Sequence, residues 1–148
     1  MSIIKVLANN KKVAHEYFIL ETYECGIVLK GTEIKSVRQG KFSIKESYVR
    51  VRDFELFIIN MHISKYEYGN IFNHDEYRDK KLLMEKCQII KLGQKVKLEG
   101  LTLIPLKVYL VHGLCKVEIA LCKGKKLYDK RQSQKEKDVN KRLNKIIS

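Results

Sequence analysis

Residues 100–122, GLTLIPLKVYLVHGLCKVEIALC, decide the class of fold. Apolar side chains alternate with others through both halves of this stretch, which is the period of a half-buried β-strand. His112 and Gly113 separate the halves and predict a tight turn between antiparallel strands. Pro105 has no backbone donor, which predicts an edge position, a bulge or the first part of a strand. The stretch is therefore interpreted as a β-hairpin, and its predicted core-facing side chains are Ile104, Leu106, Val108, Leu110, Val117, Ile119 and Leu121.

Three further strand patterns lie upstream of this hairpin. Residues 17–29 are rich in β-branched and aromatic side chains, which predicts one long strand with Gly26 at a bend or bulge. Residues 47–63 predict two more strands, joined near Asp53 and Phe54, because apolar and polar side chains again alternate.

A short helix is predicted for residues 32–38. Thr32 is a candidate N-cap, and Gly40 follows at the position where a helix commonly ends. Lys35 and Arg38 are three positions apart, so we expect both on one exposed face of this helix.

A second helix is predicted for residues 75–98, because apolar side chains recur there every three to four positions. Asp75 is its candidate cap, and Gly93 and Gly100 are candidate helix ends. The preceding segment, residues 64–75, is polar, aromatic and glycine-containing, which predicts a long functional loop.

These elements predict a mainly β fold for the chain of 148 residues. Five or six antiparallel strands with helical insertions are typical of a small closed barrel of the OB type with peripheral helices, although a β-sandwich also fits the pattern. We assign residues 1–122 to this barrel. Residues 123–148 have no strand pattern and are assigned to a separate tail.

The charge is strongly positive and unevenly distributed. Thirty Lys and Arg against seventeen Asp and Glu give +13, and the tail alone contributes +7. Such a balance favours a polyanionic partner. Lysines clustered around Tyr128 are typical of binding to single-stranded or irregular RNA, although a tail that only improves solubility has the same composition.

A helix is predicted within the tail. Ser133 and Glu136 have the spacing of a capping box, and Val139, Leu143 and Ile147 follow on one stripe. Like charges at this density repel, so we expect the tail to be disordered until a polyanion neutralises it.

Several functional classes lack support in the sequence. No apolar stretch approaches the roughly 18 to 20 residues of a membrane-spanning helix, and the N-terminus does not indicate export. The four cysteines are separated by 62, 28 and 7 positions, which suits neither a zinc site nor a disulfide framework. No nucleophile elbow, phosphate loop or HExxH motif is present. We therefore expect a cytoplasmic protein that is not an enzyme and has no metal, cofactor, small-molecule substrate or membrane partner.

Six motifs in a fixed order resemble one known family. They are ETYECGIVLKGTEIKSVRQGK, NMHIS, GNIFNHD, RDKKLLMEK, GLTLIPLKVY and KGKKLYDKR, and they extend over nearly the whole chain. The chain is identified by them as similar to the SsrA-binding proteins, also called small protein B. The resemblance implies an OB-type barrel that binds the tRNA-like part of transfer-messenger RNA (tmRNA) and accompanies it to bacterial ribosomes stalled on messages without a stop codon. It also implies that the tail enters the empty messenger channel and engages the decoding centre.

The resemblance implies two sets of binding residues. Glu24 would accept hydrogen bonds from base or ribose donors or orient a lysine, since a carboxylate repels phosphate. Leu83, placed in the second helix, would contact RNA or pack in the core. The complete RNA-binding set is Asn10, Lys11, Lys12 and His15 before the first strand, then Glu24, Lys35, Ser36, Arg38, Gly40, Lys41 and Leu83. The ribosome-binding set in the tail is Gly124, Lys125, Lys126, Tyr128, Asp129, Lys130 and Arg131.

The chain departs from the family pattern at two positions. Ala14 stands where relatives carry a basic or aromatic residue, and Lys65 replaces a common proline. The alternative function is that of a general OB-type RNA-binding or ribosomal protein whose tail adds only non-specific affinity.

Overall fold

The computed structural model describes residues 4–69 and 73–124. Three helices separate groups of strands along these residues, and each strand pairs antiparallel with its neighbours. The elements are β1 (Ile4–Asn9), α1 (Lys12–Glu16), β2 (Tyr17–Ile27), α2 (Gly31–Arg38), β3 (Phe42–Ser43), β4 (Tyr48–Arg52), β5 (Glu55–Ile59), β6 (His62–Ile63), β7 (Lys80–Leu83), α3 (Lys86–Glu99), β8 (Thr102–Val111) and β9 (Leu114–Gly124).

Six strands pair in a closed ring in the order β8, β4, β5, β7, β2, β9 and back to β8. β1 adds to the outside of this ring along the second half of β8, while β3 and β6 form a separate two-stranded sheet. The predicted mainly β, OB-like fold with peripheral helices is confirmed. A β-sandwich, in which two separate sheets face each other, is not formed.

The β8–β9 hairpin confirms the stretch that predicted the fold. His112 and Gly113 both have positive φ values, 50° and 80°, which suit a tight turn between strands that twist right-handedly. The register shifts between Pro105 and Lys107, so Pro105 lies at a bulge. This shift corrects the predicted alternation: Ile104 and Leu106 lie in a small cluster beneath α1, whereas Leu103 and Val108 belong to the main core. Leu110 is half-buried, and Val117, Ile119 and Leu121 are buried as predicted.

The main core fills the inside of the ring. Leu56, Ile58 and Leu82 come from neighbouring strands and are almost completely buried. α3 contributes Ile89 and Leu92 to the same cluster, which places the helix across the ring. Helix α2 packs on the same core cluster through Val37.

The helix predicted for residues 75–98 is wrong at its start. Lys80–Leu83 is strand β7, in which Lys80 and Leu82 are buried while Lys81 and Leu83 are exposed, the alternation of a strand. α3 begins only at Lys86.

The predicted cap and ends of that helix are corrected as well. Asp75 accepts the backbone N–H of Tyr77 at 2.8 Å in a turn and caps no helix. Gly93 lies inside α3, where an added Cβ would be 3.3 Å from Val51, so the glycine permits close packing of helix on strand. Gly100 has φ +64° and ends the helix as predicted.

Two local predictions near β2 and α2 are also corrected. The bulge in β2 lies between Ile19 and Glu21 instead of at Gly26. The N-cap of α2 is Lys30, and Thr32 lies within the helix. The predicted helix end is confirmed, since Gly40 has φ +75° and its N–H donates to the carbonyl of Val37 at 2.9 Å.

Candidate RNA interface

Helix α2 presents two cations on one side and buries its other side. Lys35 and Arg38 are exposed, whereas Glu33 and Val37 are completely buried. The guanidinium of Arg38 donates a hydrogen bond to the carbonyl of Gly113 at 3.3 Å. The end of α2 therefore lies at the turn between β8 and β9.

Gly40 and Lys41 continue the exposed surface beyond the helix. The backbone N–H of Lys41 donates to the carbonyl of Ser36 at 3.0 Å, which keeps Lys41 close to the last turn of α2. The structure thus brings together four residues of the predicted RNA-binding set, which we call the α2 group: Lys35, Arg38, Gly40 and Lys41.

A buried ion pair holds α2 in place. Glu33 accepts hydrogen bonds from Arg78 Nη2 at 2.6 Å and Nε at 3.2 Å, and from the backbone N–H of Lys30 at 2.7 Å. Burial alone would raise the pKa of Glu33, but these hydrogen bonds and the nearby positive charges outweigh burial and lower it. Glu33 is therefore ionised at neutral pH. Its partner lies 45 positions away along the chain, so no local pattern indicated the pair.

Lys80 is a buried cation beside this pair. Its side chain is completely inaccessible, and its Nζ donates to the carbonyl of Met61 at 2.6 Å. Burial lowers the pKa of Lys80 to about 8, although the charge of Glu33 acts in the opposite direction. Lys80 thus connects β7 to the segment before β6, behind α2.

His74 makes a second connection to α2. Its ring is almost completely buried, with Nε2 2.9 Å from the carbonyl of Ile63 and Nδ1 2.8 Å from the hydroxyl of Thr32. A carbonyl oxygen can only accept, so Nε2 is the donor to Ile63. The hydroxyl that was predicted to cap α2 binds this histidine instead.

The residues predicted before the first strand follow β1 instead and lie in helix α1 or in the two positions before it. Asn10 is anchored to β8 through its backbone N–H, which donates to the carbonyl of Leu106 at 2.7 Å. Val13 packs on the small cluster beneath the helix. The exposed side chains of α1 and its first turn, together with half-buried Asn10, form what we call the α1 group: Asn10, Lys11, Lys12 and His15.

The α1 and α2 groups lie at opposite ends of the β8–β9 hairpin. The Asn10 side chain donates to the carbonyl of Pro105 at 3.5 Å, whereas Arg38 contacts Gly113, eight residues further along the chain. At ~3.3 Å per residue this separation is roughly 26 Å along the strand. The predicted RNA-binding residues therefore form two surfaces.

Glu24 lies between the two groups on β2. It is exposed and pairs in register with Glu118 of β9. Its carboxylate accepts a hydrogen bond from the hydroxyl of Tyr109, a residue of β8 that is nearly buried. Burial, followed by this hydrogen bond, raises the pKa of Tyr109, so the hydroxyl stays protonated and keeps donating. Tyr109 fixes the orientation of Glu24.

Ser36 and Leu83 differ from their expected positions. Ser36 is completely buried, and its hydroxyl has no hydrogen-bond partner within the described part of the chain. Its side chain is thus not on the surface of α2. Leu83 is 52% exposed on β7, so its alternative assignment to the core is wrong. It lines a cavity of about 330 Å³ together with Phe54, Lys81 and Lys86.

The tail begins two residues later than predicted. β9 continues to Gly124, which pairs with Tyr17, the first residue of β2. The tail therefore leaves the ring next to α1. The six remaining residues of the predicted ribosome-binding set lie outside the described residues: Lys125, Lys126, Tyr128, Asp129, Lys130 and Arg131.

Residues 4–69 and 73–124 show neither a metal-binding cluster nor a membrane-spanning helix. No group of three or more His, Cys, Asp or Glu side chains in these ranges is placed to hold a metal ion. No helix within them has the length and apolar character needed to cross a membrane.

Known proteins match the chain over most of its length. The family described as "SmpB protein" matches residues 7–148. The SsrA-binding protein of Lachnoclostridium phytofermentans is 56% identical over 135 residues, which are 91% of this chain and 88% of the relative. The SsrA-binding protein of Caldanaerobacter subterraneus subsp. tengcongensis is 55% identical over 142 residues, 96% of this chain and 90% of the relative. A solved structure described as "tmRNA-SmpB: a journey to the center of the bacterial ribosome" has a TM-score of 0.66 and 46% identity, covering 82% of this chain and 85% of that one.

Proposed function

Because the chain belongs to the SmpB protein family, we propose that it binds tmRNA through the tRNA-like part of that RNA and accompanies it to stalled ribosomes for trans-translation. The relatives are named for binding SsrA, which is tmRNA, and the similar solved structure concerns tmRNA, SmpB and the bacterial ribosome. The chain acts by binding alone, without a catalytic step or a cofactor. Its place of action is the ribosome in the cytoplasm.

The observation that carries the proposal is the pair of exposed cations on an anchored helix. Lys35 and Arg38 share the exposed side of α2, and the buried Glu33–Arg78 pair fixes the opposite side. None of the ion pairs between described residues uses Lys35 or Arg38. Both cations are therefore available for phosphates, and a rigid support reduces the entropy lost when they bind.

We assign the tRNA-like part of tmRNA to the body of the protein, residues 1–124. The α2 group binds its phosphates. Glu24, oriented by Tyr109, accepts hydrogen bonds from base or ribose donors, for which a carboxylate oxygen is suited. Leu83 packs its exposed side chain on a sugar or base. Ser36 is buried on the inner side of α2, so its proposed contribution to RNA binding is to position the backbone of that helix.

We assign the ribosome to the tail that follows β9, residues 125–148. Its Lys and Arg side chains neutralise ribosomal RNA in the empty messenger channel, and Tyr128 stacks on a base near the decoding centre. The tail leaves the ring beside Tyr17, next to the α1 group. The α1 group therefore extends the basic surface from which the tail begins.

The test is a comparison of two RNAs. The affinity of the full chain is measured for the tRNA-like fragment of tmRNA and for an unrelated hairpin RNA of the same length, across salt concentrations. We expect the fragment to bind at least about tenfold more tightly, a difference of about 1.4 kcal/mol, and to keep this preference at moderate salt. Equal affinities that fall together with salt would contradict the proposal and favour a general RNA-binding protein.

A further inference from the structure

Two tyrosines stand on the loop between β6 and β7, beside α2. The ring centroids of Tyr66 and Tyr68 are 5.6 Å apart with an interplanar angle of 69°, an edge-to-face arrangement. Tyr68 is 72% exposed, while Tyr66 is half-buried. The exposed ring of Tyr68 offers a partner an apolar face and a polar hydroxyl on the same side chain.

The loop is fixed where it carries these rings. The backbone N–H of Tyr66 donates to Asn73 Oδ1 at 2.9 Å, and Asn73 Nδ2 donates back to the carbonyl of Tyr66 at 2.7 Å. Gly69 is buried, and an added Cβ would lie 2.9 Å from the Thr32 side chain of α2. The loop therefore rests directly on the helix, and the position of Tyr66 is set by the fold.

The same surface carries cations of the α2 group. Lys35 Nζ lies 5.3 Å from the centroid of the Tyr66 ring, a cation–π contact. The carbonyl of Lys41 accepts the backbone N–H of Ser64 at 3.0 Å, which places Lys41 at the root of the loop. Lys65 is exposed as well, and no ion pair among the described residues involves any of these three lysines.

We propose that Tyr68 is a stacking platform for an unpaired base of the bound RNA, and that Lys35, oriented by Tyr66, binds a phosphate next to that base. The inference rests on the proposed function and adds a contact to it. RNA-binding proteins commonly stack splayed bases on exposed aromatic rings while nearby cations neutralise the backbone. Charge favours RNA over a protein partner, because three exposed lysines on this surface (Lys35, Lys41 and Lys65) have no ion pair among the described residues, against the single exposed carboxylate of Glu67 between the two tyrosines.

The first experiment separates stacking from charge. Tyr68→Ala, Tyr68→Phe and Lys35→Ala are compared for binding to the tRNA-like fragment at several salt concentrations. Tyr68→Ala should weaken binding by roughly 5- to 100-fold, the range for loss of one stacked base, without changing the salt dependence. Tyr68→Phe keeps the ring and should bind like the wild type. Lys35→Ala should reduce the slope of log affinity against log salt by about 1.

The second experiment reports on the ring itself. The chain has no tryptophan, so Tyr68→Trp introduces a single fluorescent indole at the proposed platform. Its emission should be quenched when the fragment binds, because a stacked base is in direct contact with the indole. Leu98→Trp is the matched control, since Leu98 is 83% exposed on α3 and lies outside the loop.

The outcomes distinguish this inference from the proposed function. If the wild-type chain shows no preference for the fragment, the proposed function itself fails. If the wild type prefers the fragment but Tyr68→Ala binds it equally well, or the Tyr68→Trp emission does not change, the platform is overturned and tmRNA binding stands. A Tyr68→Ala variant that binds the fragment normally but no longer associates with ribosomes also overturns it, because the ring then faces a ribosomal partner.

Discussion

The carboxylate of Glu33 accepts hydrogen bonds from two nitrogens of Arg78, although the Glu33 side chain is completely buried. The pair joins α2 to the segment immediately before β7, so it fixes the helix that carries Lys35 and Arg38. Removing one partner of a buried pair leaves the other charge buried without compensation, which costs about 3–5 kcal/mol. The helix that carries the two proposed RNA-binding cations thus depends on an ion pair on its buried side.

Arg78→Ala should lower the free energy of unfolding by about 3–5 kcal/mol, because Glu33 would lose its guanidinium partner. Urea denaturation followed by far-UV circular dichroism measures the change. Lys81→Ala is the control, since it removes an exposed pair with Glu55 (3.2 Å) and should cost at most about 1 kcal/mol. Equal small losses in both variants would contradict a stabilising role for the buried pair.

The lowered pKa of Lys80 predicts that its contribution to the free energy of unfolding rises at alkaline pH. Burial lowers its pKa to about 8 in the folded chain, from an ordinary value near 10.5. Between these two pH values the unfolded chain binds a proton that the folded chain does not, so the contribution of Lys80 to stability increases with pH. Below pH 8 both states hold the proton, and the cost of burying the charge is constant.

The variant Lys80→Met removes this titration. Between pH 8 and pH 10, the wild type should gain roughly 2 kcal/mol of unfolding free energy relative to Lys80→Met. Urea denaturation at unit steps from pH 7 to pH 10 measures the difference. Lys81→Met, at the exposed neighbouring position, should stay parallel to the wild type. Parallel curves for Lys80→Met as well would show that Lys80 keeps its ordinary affinity for protons.

Local patterns predicted the parts of the fold that local chemistry determines. The β8–β9 turn at His112 and Gly113 follows from turn residues between alternating segments. The burial of Lys80 has no local signal, because two adjacent lysines are typical of an exposed segment and the groups that surround Lys80 come from other elements. The bulge after Pro105 was one of the predicted options, but its effect on Leu106 was not, because a single inserted residue reverses the alternation.

The candidate site was predicted in its residue types better than in its layout. Charge and helical spacing indicated Lys35 and Arg38, which are exposed on one side of α2. The separation of the α1 group from the α2 group depends on where Asn10 and Arg38 meet the β8–β9 hairpin, which no local pattern encodes. The burial of Ser36 could have been suspected from its place one position before the apolar Val37, on the side of α2 opposite Lys35 and Arg38.

The double variant Lys35→Ala/Arg38→Ala tests the α2 group. If each cation makes a charged hydrogen bond worth roughly 1.5–3 kcal/mol, the loss in binding free energy for the tRNA-like fragment should be on the order of 2–5 kcal/mol. Electrophoretic mobility shifts at moderate salt measure it. Lys91→Ala/Lys97→Ala removes the same charge from exposed positions of α3 and should have a much smaller effect. Equal losses would mean that only net charge matters.

The end of β9 sets where the tail can be removed without damage to the ring. Gly124 and Lys123 pair with Tyr17 and Phe18, so a chain ending at Gly124 retains the whole strand, whereas a chain ending at Cys122 loses two ladder positions. We expect the first truncation to unfold at the same urea concentration as the full chain and the second at a lower one. The chain ending at Gly124 is therefore the variant with which to test whether the body and the tail bind different RNAs.

The chain ending at Gly124 should still bind the tRNA-like fragment but should no longer support peptide tagging on stalled ribosomes. The reason is that the proposal assigns tmRNA to the body, while residues 125–148 carry nearly all of the charge that it assigns to the ribosome. Fragment affinity and tagging in a reconstituted translation system are the two measurements. If both fall by the same factor, the tail contributes to tmRNA binding and the two tasks are not separate. If tagging persists without the tail, the messenger channel is not read by residues 125–148, and the α1 group beside the strand end becomes the surface to test next.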